Sequence, residues 1–142
     1  MKYLPFFVYG TLIKGMGNDG LIPDEAKRIK GYTRGKMFNV GLFPAVVNGK
    51  DKIHGEIVYV PSYLYKRTMK VLDTLEGYRG KDDDMYKRVI KKVWDNGGNE
   101  IDCWMYLWNR DIKGMEYISH GSWVKYWKGQ EKRYNKYLRE KG

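Results

Sequence analysis

An α+β fold built on a mixed, barrel-like β-sheet is what this sequence predicts, and three observations carry the reading. Runs of β-forming residues recur along the chain with one well-marked helix set among them, unlike the regular strand and helix alternation of a doubly wound parallel sheet. Two of those runs, residues 86–94 and 101–108, flank Asp95-Asn96-Gly97-Gly98-Asn99, which is a hairpin signature. The helix lies between Ser62, a good N-cap, and Gly77, which closes it.

Taken in order, Leu4, Phe6, Phe7, Val8 and Tyr9 predict a buried strand that empties into the loop Gly10-Thr11-Leu12-Ile13-Lys14-Gly15. Gly10 permits backbone angles, or a close approach, that a Cβ would forbid. Such a loop can point N–H groups at an anion or oxyanion, and the same residues also suit an ordinary hairpin turn. Asn18-Asp19-Gly20 and Pro23-Asp24 are turn material, with a short helical turn expected over residues 25–29. Residues 34–40 predict a strand. Residues 41–47 predict an edge or irregular strand because of Pro44, and Asn48-Gly49 a sharp turn. Ile53, Gly55, Ile57 and Tyr59 alternate with His54, Glu56 and Val58, as in a strand. Ser62 is expected to cap a helix whose apolar stripe is Leu64, Thr68, Val71, Leu72 and Leu75. In a basic C-terminal segment, about residues 119–142, Trp123, Trp127, Tyr134 and Leu138 share one helical face, predicting a docked amphipathic helix.

The length, 142 residues, suits a single domain over residues 1–142 with a core that needs no staples. Cys103 is the only cysteine, so no intramolecular disulfide forms, and the N-terminal residues lack a long apolar leader. Both point to the cytoplasm. Charged residues interrupt every stretch that might otherwise span a membrane. The formal net charge of +10 favours polyanionic partners. Lys125, Lys128, Lys132, Arg133, Lys136, Arg139 and Lys141, interleaved with Trp127, Tyr134 and Tyr137, would suit nucleic acid as well as a solvated helix face.

Among chemistry-bearing residues, Glu76 is the most unusual: a carboxylate in the last helical turn, beside a glycine cap. The helix C-terminus and any apolar surroundings would both raise its pKa toward the range of a general acid/base, and a solvated Glu76 at a frayed helix end is the alternative. Asp73, one turn earlier, is expected to be exposed or to make a local hydrogen bond. Cys103 with His54 or His120 would supply a thiol hydrolase, but Cys103 alternates with Ile101 and Met105 on an inward strand face, as a structural thiol does. One cysteine and two histidines are poor material for zinc, Asp82-Asp83-Asp84 reads as a solvated loop, and Gly10 to Gly15 lacks a P-loop ending. No metal or cofactor is expected.

Tyr9-Gly10-Thr11-Leu12 with Gly15 and Asn18, then Gly41-Leu42-Phe43-Pro44-Ala45, Gly55-Glu56, Leu72-Asp73-Thr74-Leu75-Glu76-Gly77 and Tyr86-Lys87-Arg88-Val89 together resemble the γ-glutamylcyclotransferase-like superfamily, in its AIG2-like and γ-glutamylamine cyclotransferase branch. The resemblance covers residues 8–108 in the expected order. It implies a small β-barrel flanked by helices, with the Tyr9 to Leu12 loop and Glu76 facing one pocket. It further implies a reaction in which the α-amine of a γ-glutamyl group attacks its own γ-carbonyl, releasing an amine and 5-oxoproline. The nucleophile then arrives with the substrate, and the protein supplies Glu76 as general acid/base. Backbone N–H groups of Gly10, Thr11 and Leu12 would hold the carboxylate or oxyanion.

Tyr86 matches a family position that helps shape the pocket, and a hairpin-edge Tyr86 with a surface Arg88 is the alternative. The region beyond Trp108 corresponds only loosely to the branch, which leaves the leaving amine open. The expected partner is thus a γ-glutamyl small molecule. The alternative is a non-enzymatic basic module of the same fold that contacts nucleic acid through its C-terminal helix.

Overall fold

In a computed structural model, residues 3–141 are described. The strands are β1 (Phe6–Val8), β2 (Lys27–Asn39), β3 (Pro44–Tyr59), β4 (Tyr86–Asp95), β5 (Glu100–Trp108) and β6 (Glu116–Ile118), with helices α1 (Ser62–Glu76) and α2 (Trp123–Lys141). A single 3-10 turn occupies Asp19–Leu21. The strand order β3-β1-β5-β4-β2 closes on itself because β2 also pairs with β3, so five strands form a barrel and β6 is appended to β2. The contact between β1 and β5 is parallel and the other pairings are antiparallel.

Side-chain alternation sorts two cores across the barrel wall. Phe7, Met37, Ile53, Ile57, Cys103 and Met105 point into the barrel, where Trp123 of α2 joins them. Phe6, Val8, Val58 and Tyr106 point outward and are covered by Tyr65 and Leu72 of α1. β1 is therefore buried on both faces, which explains its unbroken apolar run. Gly55 lets β1 cross β3 closely, since an added Cβ would lie 2.2 Å from the Val8 carbonyl oxygen.

Several local expectations give way to long-range pairing. The helical turn expected over 25–29 is instead the start of β2, because Lys27, Arg28 and Ile29 pair with Tyr59, Val58 and Ile57. The strand expected over 34–40 thus begins earlier. Asn48-Gly49 does not end a strand: β3 runs through it, and the register passes from Lys36↔Val47 to Gly35↔Asp51, leaving residues 48–50 as a bulge.

Pro61, not Ser62, occupies the cap of α1, and no side-chain hydrogen bond caps it. Of the expected stripe of α1, Thr68 and Leu72 are buried, Leu64 and Val71 are half-buried and Leu75 is exposed, while Tyr65, outside that stripe, is buried with them. Tyr65 dominates because its ring packs on Phe6 while its hydroxyl donates to the Leu4 carbonyl at 2.5 Å. Asp84, expected to be solvated, is buried and accepts the backbone N–H of Arg79 at 2.7 Å and of Lys81 at 3.0 Å.

The short strand β6 has no counterpart in the sequence-based assignment. α2 docks only through its first turns. Trp123 is buried with Tyr126 and Trp127 packed beside it, whereas residues 131–141 are exposed, including Tyr134 and Leu138. No helix among the described residues is long and apolar enough to cross a membrane.

Candidate active site

The loop after β1 is built to leave N–H groups unused. Ile13 N–H donates to the Gly10 carbonyl at 3.1 Å, and Met16 N–H to that of Ile13 at 2.9 Å. Asn18 ties the loop across, its backbone N–H on the Thr11 carbonyl at 2.8 Å and its Nδ2 on Thr11 Oγ1 at 2.9 Å. Arg28 Nη1 holds the Leu12 carbonyl at 2.8 Å and Glu56 Oε1 at 2.7 Å, and the same Oε1 accepts Lys14 N–H at 3.0 Å. Among the described residues, no acceptor takes the N–H groups of Gly10, Thr11 or Leu12. Gly10 is required by proximity: a Cβ there would stand 2.8 Å from Pro44 Cγ.

These residues form one wall of a cleft of about 270 Å³. Leu75 and Glu76 close it from the end of α1, Phe43 and Pro44 from the start of β3, and Tyr86 and Tyr106 from the hairpin. The expected residues Tyr9, Gly10, Thr11, Leu12, Glu76 and Tyr86 thus meet at one cavity. Tyr86 is buried in the cleft wall, not exposed at a hairpin edge.

Glu76 owes its position to the end of its helix. Gly77 takes the left-handed conformation, φ 67°, and its N–H donates to Thr74 O at 3.2 Å while Tyr78 N–H donates to Asp73 O at 2.8 Å. Those bonds engage carbonyls of the last turn. Among the described residues no hydrogen-bond donor reaches the Glu76 carboxylate, and burial pushes its pKa up to about 7.

The tyrosine hydroxyls around it are already committed. Tyr9 donates to the Tyr106 carbonyl at 2.6 Å, Tyr86 to the Pro44 carbonyl at 2.8 Å, and Tyr106 to Asp73 Oδ1 at 2.6 Å. Burial first, and then neighbouring groups including the Glu76 charge, hold all three phenols above their ordinary pKa. They remain protonated at neutral pH, and Glu76 is the group lining this cleft whose pKa is brought to about 7.

Asp73 is neither exposed nor a purely local partner. It pairs with Arg88, which is itself not a surface residue but a half-buried one sandwiched between the Tyr78 and Trp104 rings, each 5.0 Å from the guanidinium carbon. This Asp73, Arg88 and Tyr106 network behind the cleft was missing from the sequence-based site. Strand alternation could have placed Tyr106 on the α1 side, opposite Met105, but nothing local pairs Asp73 with it. Cys103 is fully buried and its thiol is pushed up to about 12 by burial, then by Asp102, which suits a structural role. Among the described residues, no three His, Cys, Asp or Glu side chains gather as a metal site.

Residues 6–125 match the family described as gamma-glutamyl cyclotransferase, AIG2-like. The chain belongs to that family. It is 24% identical over 122 residues to the gamma-glutamylcyclotransferase family protein YtfP of Escherichia coli K12, covering 83% of this chain and 94% of that one. A similar protein from Citrobacter rodentium is 25% identical over 123 residues, covering 83% and 93%. Among solved structures, an AIG2-like protein from Mus musculus superposes with a TM-score of 0.66 at 24% identity, over 82% of this chain and 86% of that one. An uncharacterized protein from Pyrococcus horikoshii gives 0.66 at 22% identity, over 90% and 96%. The five-strand barrel with two helices is thus the gamma-glutamyl cyclotransferase fold, and the family includes enzymes of that activity.

Proposed function

We propose that this protein converts a γ-glutamyl amine or γ-glutamyl-amino acid to 5-oxoproline and the free amine by intramolecular aminolysis, with Glu76 as general acid/base. One observation carries the reading: a half-buried carboxylate with a pKa near 7 and no internal donor shares a small cleft with the N–H groups of Gly10, Thr11 and Leu12. Glu76 takes a proton from the substrate's α-ammonium, freeing the lone pair that forms the new bond to the γ-carbonyl carbon. The carbonyl oxygen becomes an oxyanion facing the loop N–H groups, which are fixed in advance by Asn18 and Arg28. Glu76 then returns its proton to the departing amine as the bond from the γ-carbon breaks, and the second proton shed by the ring nitrogen passes to the released amine, which leaves as an ammonium.

The protein need contribute no nucleophile, consistent with a cleft that lacks Ser and Cys. Tyr86, anchored to Pro44, gives the cavity a rigid aromatic side. Incubation with a panel of γ-glutamyl amines and γ-glutamyl-amino acids, with 5-oxoproline quantified, tests the reading. Formation of 5-oxoproline from at least one member is expected. Release of glutamate without 5-oxoproline would replace cyclotransfer by hydrolysis.

A further inference from the structure

A second concavity, of about 970 Å³, lies behind the same loop and is lined by Lys14, Lys30, Lys52, Lys125, His54 and His120. Among the described residues, none of these four lysines forms an ion pair. Of its two carboxylates, Glu56 is neutralised by Arg28, and Asp95 is hydrogen-bonded to the N–H groups of Gly97 and Asn99 and keeps its charge. Four exposed lysines therefore face one groove against a single unneutralised carboxylate, leaving a clear positive excess.

The groove is built from fixed parts rather than from a collection of loose side chains. Tyr32 and His54 are register partners in the β2 and β3 ladder, and Tyr32 stacks on Trp94 of β4 at 5.6 Å between ring centroids. Lys52 Nζ is held 4.3 Å from the Tyr32 centroid. On the far side, Gly121 presses so close to β3 that a Cβ would meet the Lys52 carbonyl oxygen at 1.9 Å, and His54 N–H donates to Gly121 O at 2.8 Å. That contact sets the start of α2 at the groove, where Ser122 Oγ accepts Lys125 N–H at 3.2 Å. The positive end of a 19-residue helix thus adds to the lysines. Burial, and then Lys52, His120 and Lys125, hold the His54 imidazole below its ordinary pKa, as expected where positive groups converge.

We propose that this groove binds a small polyphosphate anion, the chemistry shared by inorganic polyphosphate and the phosphate chain of a nucleotide, at a site separate from the cleft. Its volume of about 970 Å³ exceeds what a single carboxylate fills, and its four lysines outnumber the charges of one phosphate. The outer part of α2, with Lys132, Arg133 and Lys136, does not line the groove.

Calorimetric titration at physiological salt tests the assignment, with inorganic tripolyphosphate, a nucleoside triphosphate and a short single-stranded oligonucleotide as probes. Tripolyphosphate is expected to bind with one-to-one stoichiometry, and a nucleoside triphosphate that binds more tightly identifies the nucleotide as the source. Lys30→Glu with Lys52→Glu, at exposed positions, is expected to weaken tripolyphosphate binding tenfold or more, whereas Lys132→Glu with Lys136→Glu leaves it within twofold. Equal weakening by both pairs would mean attraction to net charge only and would overturn the proposal. So would binding of the oligonucleotide without tripolyphosphate, or no binding of any probe.

Discussion

Tyr106 donates its hydroxyl to Asp73 at 2.6 Å, joining β5 to α1 one helical turn before Glu76. The same Tyr106 offers its backbone carbonyl to the Tyr9 hydroxyl at 2.6 Å. A single residue thus braces both the helix that presents the carboxylate and the strand that opens into the N–H loop. Arg88, on the other oxygen of Asp73, completes the brace from β4.

Replacing Asp73 by Asn is therefore expected to destabilise the fold by about 1–3 kcal/mol, because the half-buried Arg88 guanidinium loses its counter-charge. Urea unfolding checks this. A change within about 0.5 kcal/mol would mean that the network contributes little to stability.

Glu76→Gln is expected to leave a folded protein whose 5-oxoproline formation falls at least about a hundredfold, since the amide keeps the shape but cannot carry a proton. Near-native turnover would remove Glu76 from the chemistry.

The same variant has a stability signature. The folded-state pKa of Glu76, about 7, lies above its ordinary 4.5, so the native state binds the proton more tightly than the unfolded chain. Stability consequently falls as pH rises from about 4.5 to about 7, by at most about 3 kcal/mol, and stays at the lower level above that window. Glu76→Gln lacks this loss and is expected to be the more stable protein at pH 8. The difference between the two unfolding free energies should shrink as pH is lowered toward 4.5.

Activity should titrate with the same group. A base must be ionised, so kcat/KM is expected to rise with pH through an inflection near 7. An inflection near the ordinary carboxylate value, with none around neutrality, would contradict a buried base.

Blocking the substrate separates the two chemistries. An N-acetylated γ-glutamyl compound has its nitrogen lone pair delocalised into an amide and is expected to yield no product while still competing for the cleft. Liberation of the amine together with N-acetylglutamate would assign the reaction to water or to an enzyme nucleophile instead.

Where local pattern and burial agree, the sequence by itself was sufficient. The alternation along β5, the Asn-Gly-Gly turn before it, the glycine that stops α1 and the ordered motifs around Tyr9 and Glu76 together determined the fold class, the family resemblance and one cavity. Only the tertiary structure decided which partners distant residues take. Residues 25–29 have a local helical preference that a strand ladder with β3 overrides, because each pairing adds backbone bonds that an isolated turn cannot match. Asp73 and Arg88 meet only when α1 lies on the barrel, and Lys125 joins Lys14, Lys30 and Lys52 at the groove because Gly121 brings the start of α2 against β3. Tyr134 and Leu138 carry helical spacing that suggests docking, yet α2 extends beyond the surface that its first turns cover, leaving both exposed. Periodicity specifies which face of an element is apolar, whereas the length and position of its neighbour determine how much of that face is buried.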